Sequence, residues 1–266
     1  MNKSLNIFAV NAAGIKSKLK SFNEILIELA PEIWMLQETK LKANENIKCA
    51  SLSSYQVFYL SRQESQGGGL AVGVVKDLES TLIREGDDQT EALAIKVVIG
   101  KLPIRLINAY GAKENASKEK KEKFWNFIEE EVNKAELGCE GFLLQMDGNL
   151  HAGPSLLSDD PNPQYQNGKL FMQFLKRNPD LIVVNALDIC EGLITRKREV
   201  LLETEKAVLD FFVVNERMRP FLKKMIIDEE RKYCLSNFAQ LKKNKRVIET
   251  DNNSEIMKLD LQFEEE

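Results

Sequence analysis

Apolar and polar positions change over in short runs along this chain, and turn residues separate the runs. The pattern predicts many strands with a few helices between them. Residues 5–10 form a short apolar strand; Leu19, Phe22, Ile25, Leu26 and Leu29 then recur at the spacing of one helical face, and Pro31 ends that helix. Residues 33–36 make a second buried strand that delivers Gln37-Glu38-Thr39 into a loop. Residues 55–60 and 69–75 read as strands, the latter following the turn-forming Gly67-Gly68, and residues 91–98 and 104–109 read as a hairpin around Gly100. Residues 118–132 form the clearest amphipathic helix, and the strand at 141–146 ends in Asp147-Gly148-Asn149. A Pro-, Asp- and Asn-rich loop fills 153–167 and a helix covers 168–177. Strands at 181–185, 192–198, 208–214, 247–249 and 255–262 complete the chain, with a frayed tail at 264–266 and no internal repeat. So many strands with so few inserted helices predict two packed sheets covered by helices, not one doubly wound sheet. At 266 residues the length suits one large domain, taken as 1–266.

Composition changes this picture little, because 43% hydrophobic and 29% charged residues are ordinary globular usage. A net charge of −4 is unpromising for a nucleic-acid binder, yet the distribution of charge matters more than its sum. Lys16, Lys18 and Lys20 form one basic group, and Lys118, Lys120, Lys121 and Lys123 a second; Arg196, Lys197 and Arg198 form a third, and Lys242, Lys243, Lys245 and Arg246 a fourth. For each group except the one at Arg196, a solvated face is the plainer reading than a DNA contact. Cys49, Cys139, Cys190 and Cys234 are scattered without Cys-x-x-Cys spacing, which argues against a zinc knuckle or disulfide scaffold and for a reducing compartment. No uncharged apolar run reaches the roughly 18–20 residues that span a bilayer, and the first residues lack a signal-like apolar region, so neither a membrane nor secretion by signal is expected.

The polar residues of interest fall at predicted strand ends: Asn11, Glu38, Tyr110, Asp147 with Asn149, Asp210 and Asp251. Loops held by rigid strands can aim such side chains at one point. Hydrolysis of a phosphodiester needs a neutralised phosphoryl group, an aligned water and a stabilised leaving oxygen, which carboxylates, a hard divalent cation and neutral donors supply. Glu38 and Asp251 are the candidate ligands, since Mg²⁺ uses one or two protein carboxylates and keeps waters for the rest. Singly, each residue also suits a structural role: Glu38 a capping carboxylate, Asp147-Gly148-Asn149 turn chemistry, Tyr110 a half-buried aromatic, Asn11 a loop amide. Their order along the chain is the stronger signal.

In that order, and in the segments Asn11-Ala-Ala-Gly14, Leu36-Gln37-Glu38-Thr39, Asn108-Ala-Tyr110, Met146-Asp147-Gly-Asn149-Leu-His151, Gly192-Leu-Ile-Thr195-Arg196, Val208-Leu-Asp210-Phe211 and Glu249-Thr250-Asp251, the chain resembles the endonuclease/exonuclease/phosphatase superfamily. Within it the resemblance is greatest to the apurinic-type endonuclease domain of LINE-type (non-LTR) retrotransposons. The resemblance implies a deoxyribonuclease-I-like α/β fold, a four-layer sandwich of two mainly antiparallel sheets flanked by helices. It implies a Mg²⁺- (or Mn²⁺-) dependent endonuclease that nicks double-stranded DNA in the nucleus, leaving a 3′-hydroxyl that primes a reverse-transcriptase portion of the same polyprotein. By the same resemblance Glu38 binds the cation, Asn11 and Asp251 help to hold it, and Tyr110 contacts the scissile phosphate. Asp147 with Asn149 orients and deprotonates the water, and Thr195, Arg196 and Arg198 belong to a basic hairpin that contacts DNA.

One station departs from the pattern. The histidine that would follow Asp251 and pair with Asp210 is replaced by Asn252, and the only histidine of the chain, His151, matches a non-catalytic position. Asparagine can donate a hydrogen bond to a phosphate but cannot carry a charge or shuttle a proton. Proton-transfer groups supply roughly 10² to 10⁴ in rate, so near-inactivity with binding largely kept is expected. A non-catalytic DNA-binding domain and a repair-type apurinic endonuclease or phosphatase remain the alternatives.

Overall fold

The computed structural model describes residues 3–61, 68–87, 89–200, 203–237, 248–249 and 253–261. β1 (Lys3–Asn11) leads through a 3-10 turn into α1 (Leu19–Leu29) and on to β2 (Ile33–Gln37), which pairs with β1 in parallel. The helix forms where the sequence places its apolar stripe, and it stops at Ala30, which adopts a left-handed φ of 40° and returns its N–H to the Leu26 carbonyl. β3 (Tyr55–Leu60) and β4 (Leu70–Val75) extend the same sheet. β5 (Glu79–Glu85), β6 (Glu91–Ile99) and β7 (Leu102–Tyr110) start the second sheet, and α2 (Lys118–Leu137) crosses over to β8 (Gly141–Asp147), parallel to β7. α3 (Gln166–Arg177), β9 (Leu181–Val183) and β10 (Cys190–Glu191) precede a separate hairpin of β11 (Arg196–Val200) and β12 (Glu203–Ala207). β13 (Asp210–Asn215), β14 (Leu222–Ile227), β15 (Ser236–Asn237), β16 (Ile248–Glu249) and β17 (Glu255–Leu261) follow.

One sheet has the order β10-β14-β17-β1-β2-β4-β3 and the other β5-β6-β7-β8-β13-β9, both mainly antiparallel. Three apolar clusters define four layers. Phe22, Ile25 and Leu26 of α1 pack with Phe8 and Trp34 on the outer face of the first sheet. Between the sheets lie Ile7, Met35, Val72, Ile95, Leu106, Phe212 and Met257. Phe124, Trp125 and Ile128 of α2 and Phe171 and Phe174 of α3 cover Phe142, Leu144 and Phe211 on the far side. Helix α2 is further tied down by Glu131, fully buried, which accepts from Arg84, Arg105 and Lys134 at 2.6–3.0 Å.

Three departures from the sequence pattern have physical causes. β5 gives no signal because it is an edge strand whose Glu79, Thr81, Leu82 and Glu85 face solvent. β14 is masked by a Lys223-Lys224 pair and a register shift against β17 between Leu222 and Lys224. The strand expected at 192–198 begins only at Arg196, since the chain before it bends around Gly192 at φ 87°. Residue 247 lies outside the described residues, but 248–249 do form a strand.

Candidate active site

Strand pairing gathers the polar positions at one edge of the sandwich. Parallel pairing puts the ends of β1 and β2 side by side, and likewise those of β7 and β8. Antiparallel pairing then brings the start of β13 to the end of β8, so Tyr110, Asp147 and Asp210 stand in one row across three strands. The first sheet meets this row through Asn11, whose Nδ2 donates to Glu38 Oε1 at 3.2 Å and to Asp147 Oδ2 at 2.7 Å. The Tyr110 hydroxyl donates to the same Glu38 oxygen at 2.6 Å. Asn11 Oδ1 accepts from the Ala13 N–H at 2.9 Å, so this amide spans the two carboxylates as a donor.

Glu38 and Asn149 both adopt left-handed backbone, with φ of 48° and 45°, a strain that surrounding bonds maintain. The Glu38 carbonyl accepts from Gly14 at 2.7 Å. Asn149 gives its N–H to Asp147 Oδ1 at 3.1 Å and its Nδ2 to the Gly111 carbonyl at 3.0 Å. Thr195, expected to meet DNA, is instead fully buried: its hydroxyl accepts the N–H groups of Leu209 at 2.9 Å and Asp210 at 3.2 Å. Its role is to fix the turn into β13. Arg196 is half-buried at the root of the hairpin and Arg198 is exposed farther along it. Asp251 and Asn252 lie outside the described residues, while Asn253 is buried, donating through its N–H to the Thr195 carbonyl at 2.6 Å and through Nδ2 to the Ile194 carbonyl at 2.5 Å.

The electrostatics divide the carboxyls into two kinds. Burial opposes ionisation of Glu38, but donors on Tyr110 and Asn11 and the Lys40 ammonium, 3.5 Å away, outweigh it and hold this acid below its ordinary range. Asp147 is pushed up to about 6, mainly by burial against the lowering effect of Asn11 and Asn149. Asp210 is raised well above its usual value by burial and by the charges of Asp147 and Glu255. Burial, with Asp147 and Glu38 beside it, also raises Tyr110, which keeps its proton and remains a donor.

Sequence reasoning missed Glu255. It is buried at the start of β17, takes a 3.1 Å hydrogen bond from Gln145, and is raised to about 8 chiefly by burial. Gln145 is joined in turn to Gln37, which reaches Asn108 at 2.6 Å. A Glu opening an otherwise apolar alternation was the signal, and an exposed strand end would have shown the same one. His151 packs edge-on against Tyr165 with ring centroids 4.8 Å apart.

Among the described residues no three His, Cys, Asp or Glu side chains are gathered tightly enough to cage a metal. The donor chemistry nonetheless fits a hard divalent cation, which takes few protein ligands: an ionised, partly exposed Glu38 stands at the end of β2, bridged through the Asn11 amide to the Asp147 carboxylate.

No family model and no curated protein matches the chain. Solved structures do. The endonuclease domain of TRAS1, a telomere-specific non-LTR retrotransposon, superposes with a TM-score of 0.67 at 14% identity, covering 97% of this chain and 100% of that one. The 3′-5′ exonuclease NExo from Neisseria meningitidis gives 0.70 at 18%, over 97% and 100%. The AP endonuclease LMAP from Leishmania major gives 0.70 at 14%, over 98% and 89%. The resemblance to the endonuclease/exonuclease/phosphatase superfamily, its LINE-type members included, therefore holds at the level of fold.

Proposed function

We propose that this chain is a divalent-metal-dependent DNA endonuclease domain of the LINE retrotransposon kind, impaired by Asn252. The observation that carries this reading is the single hydrogen-bonded cluster in which Asn11 and Tyr110 converge on Glu38 and Asn11 continues to Asp147, with Asp210 next in register. These five positions from five strands and their loops meet at one edge, which a purely structural role for each residue would not require.

In this reading Asp147, with an affinity for protons near neutrality, takes the proton of the attacking water, and Asn149 keeps its carboxylate aimed. The water oxygen bonds to phosphorus as the bond to the 3′ oxygen breaks. Tyr110 donates to a non-bridging phosphate oxygen. Mg²⁺ or Mn²⁺, held by Glu38 with Asp251, would neutralise phosphoryl charge. The products are a 5′-phosphate and a 3′-hydroxyl fit to prime synthesis by a reverse-transcriptase portion of the same polyprotein on nuclear DNA.

Nicking of supercoiled plasmid by the chain and by Asn252→His tests the reading. The expected result is a gain of roughly 10² or more for Asn252→His with Mg²⁺, against unchanged DNA affinity. DNA binding with no nicking by either protein would favour a non-catalytic binding domain, the second reading, for which Asn252 is the motivating residue.

A further inference from the structure

Without histidine at the end of the chain, the phosphate needs a cationic donor from elsewhere, and the hairpin root offers one. Thr195 ties this root to two places at once. Its hydroxyl fixes the start of β13 at Asp210, and its carbonyl holds the N–H of Asn253, the residue covalently next to position 252. Arg196 follows Thr195 directly and pairs across the hairpin with Ala207. Its backbone is thus fixed between Asp210 and the segment that would have carried the histidine. The side chain is half-buried, unlike exposed Arg198. Its positive charge is felt by Asp147, Asp210 and His151, in keeping with its place at the hairpin root beside Asp210.

We propose that Arg196 is a catalytic residue that grips the scissile phosphate, supplying the cationic hydrogen bonding for which this chain has no histidine. The inference rests on the phosphodiesterase reading above and changes the expected role of Arg196 from groove contact to transition-state contact. A guanidinium presents paired N–H donors to two phosphate oxygens and stays charged at every working pH. It cannot give up a proton. The water proton therefore passes to Asp147 and on to solvent, and the departing 3′ oxyanion takes its proton from solvent. Slow, pH-insensitive charge stabilisation replaces acid catalysis.

The test is a cycle: the whole chain and its Asn252→His variant, each with Arg196→Ala and Arg196→Lys, assayed for single-turnover plasmid nicking with Mn²⁺ and for DNA affinity by anisotropy. Arg196→Ala is expected to slow nicking at saturating DNA by roughly 10²-fold in the original background with affinity nearly unchanged, and Arg196→Lys to recover part of it. With histidine at 252 the same substitution is expected to matter roughly tenfold less. Arg198→Ala, by contrast, is expected to weaken binding and flatten its salt dependence without slowing the bound complex. Equal rate losses in both backgrounds, or a loss of affinity with an unchanged rate for Arg196→Ala, would overturn the proposal. Absence of nicking from both backgrounds with Mn²⁺ would instead remove the phosphodiesterase reading on which it stands.

Discussion

At the scale of single residues, the site is a set of buried carboxyls that water does not stabilise. Asp147, Asp210 and Glu255 are all withdrawn from solvent and all raised, while Glu38, given two donors and a nearby ammonium, is lowered. Glu255 has the plainest consequence. Its folded value of about 8 exceeds the ordinary 4.5, so the folded state binds the proton more tightly than the unfolded chain does. Stability is then fully present below about pH 4.5 and is lost as pH rises towards about 8 and above. Glu255→Gln keeps an oxygen for Gln145 and removes the charge; it is expected to raise the melting temperature above about pH 8, by roughly 2 kcal/mol of stability, and to leave it unchanged below about pH 4.5. Thermal scans of both proteins across this range check it, and parallel curves would show that Glu255 is not the strained acid. The sequence showed Glu38, Asp147 and Asp210 as candidates through their order, but nothing in Asn253-Ser254-Glu255 distinguished a buried acid from a solvated one.

At the scale of elements, function depends on how closely the loops after β7 and β8 approach each other. Gly111 follows Tyr110, and a Cβ built there would run into the Gly148 carbonyl oxygen. The same pair of loops is bonded by the Gly111 N–H to the Asp147 carbonyl at 2.7 Å and by Asn149 Nδ2 to the Gly111 carbonyl. Gly111→Ala must therefore push Asp147-Gly148-Asn149 outward while leaving the strands paired. We expect such a variant to melt within a few degrees of the parent yet to lose roughly 10²-fold in nicking by the Asn252→His form, since displacements of about 1 Å have that effect on positioned catalysts. Circular dichroism melting beside the nicking assay decides it; retained rates would show that the loop yields elsewhere. Most elements were legible because apolar periodicity survives in β1, β2, β6 to β8 and α1. The edge strand β5 and the bulged β14 were not, because their stability comes from neighbours and not from their own patterning.

At the scale of the whole molecule, a polar layer crosses the interface between the sheets directly below the site. Gln37 of β2 reaches Asn108 of β7 and Gln145 of β8, Asn108 returns its Nδ2 to the Leu36 and Ala71 carbonyls at 3.0 and 3.1 Å, and Gln145 reaches Glu255 of β17. Apolar side chains elsewhere in the interface allow many relative positions of two sheets, whereas directional bonds select one. Gln37→Leu leaves two buried acceptors without their donor and is expected to lower stability by about 2–3 kcal/mol in urea unfolding. It should also slow nicking in the Asn252→His background, because Asn11 and Asp147 come from opposite sheets. A stability loss with no change in rate would show that the apolar core alone sets the sheet alignment.

The sequence alone determined the number and kind of most elements, the two-sheet class, the order of the polar stations and the missing histidine, because these follow from local periodicity and residue type. Tertiary structure alone decided that Thr195 supports Asp210 from inside, that Asn11 is a strut between carboxylates, that Glu255 is buried and that Arg196 is half-buried at the hairpin root. Those outcomes depend on which strands pair and in what register, and register is fixed by contacts between residues far apart in the chain.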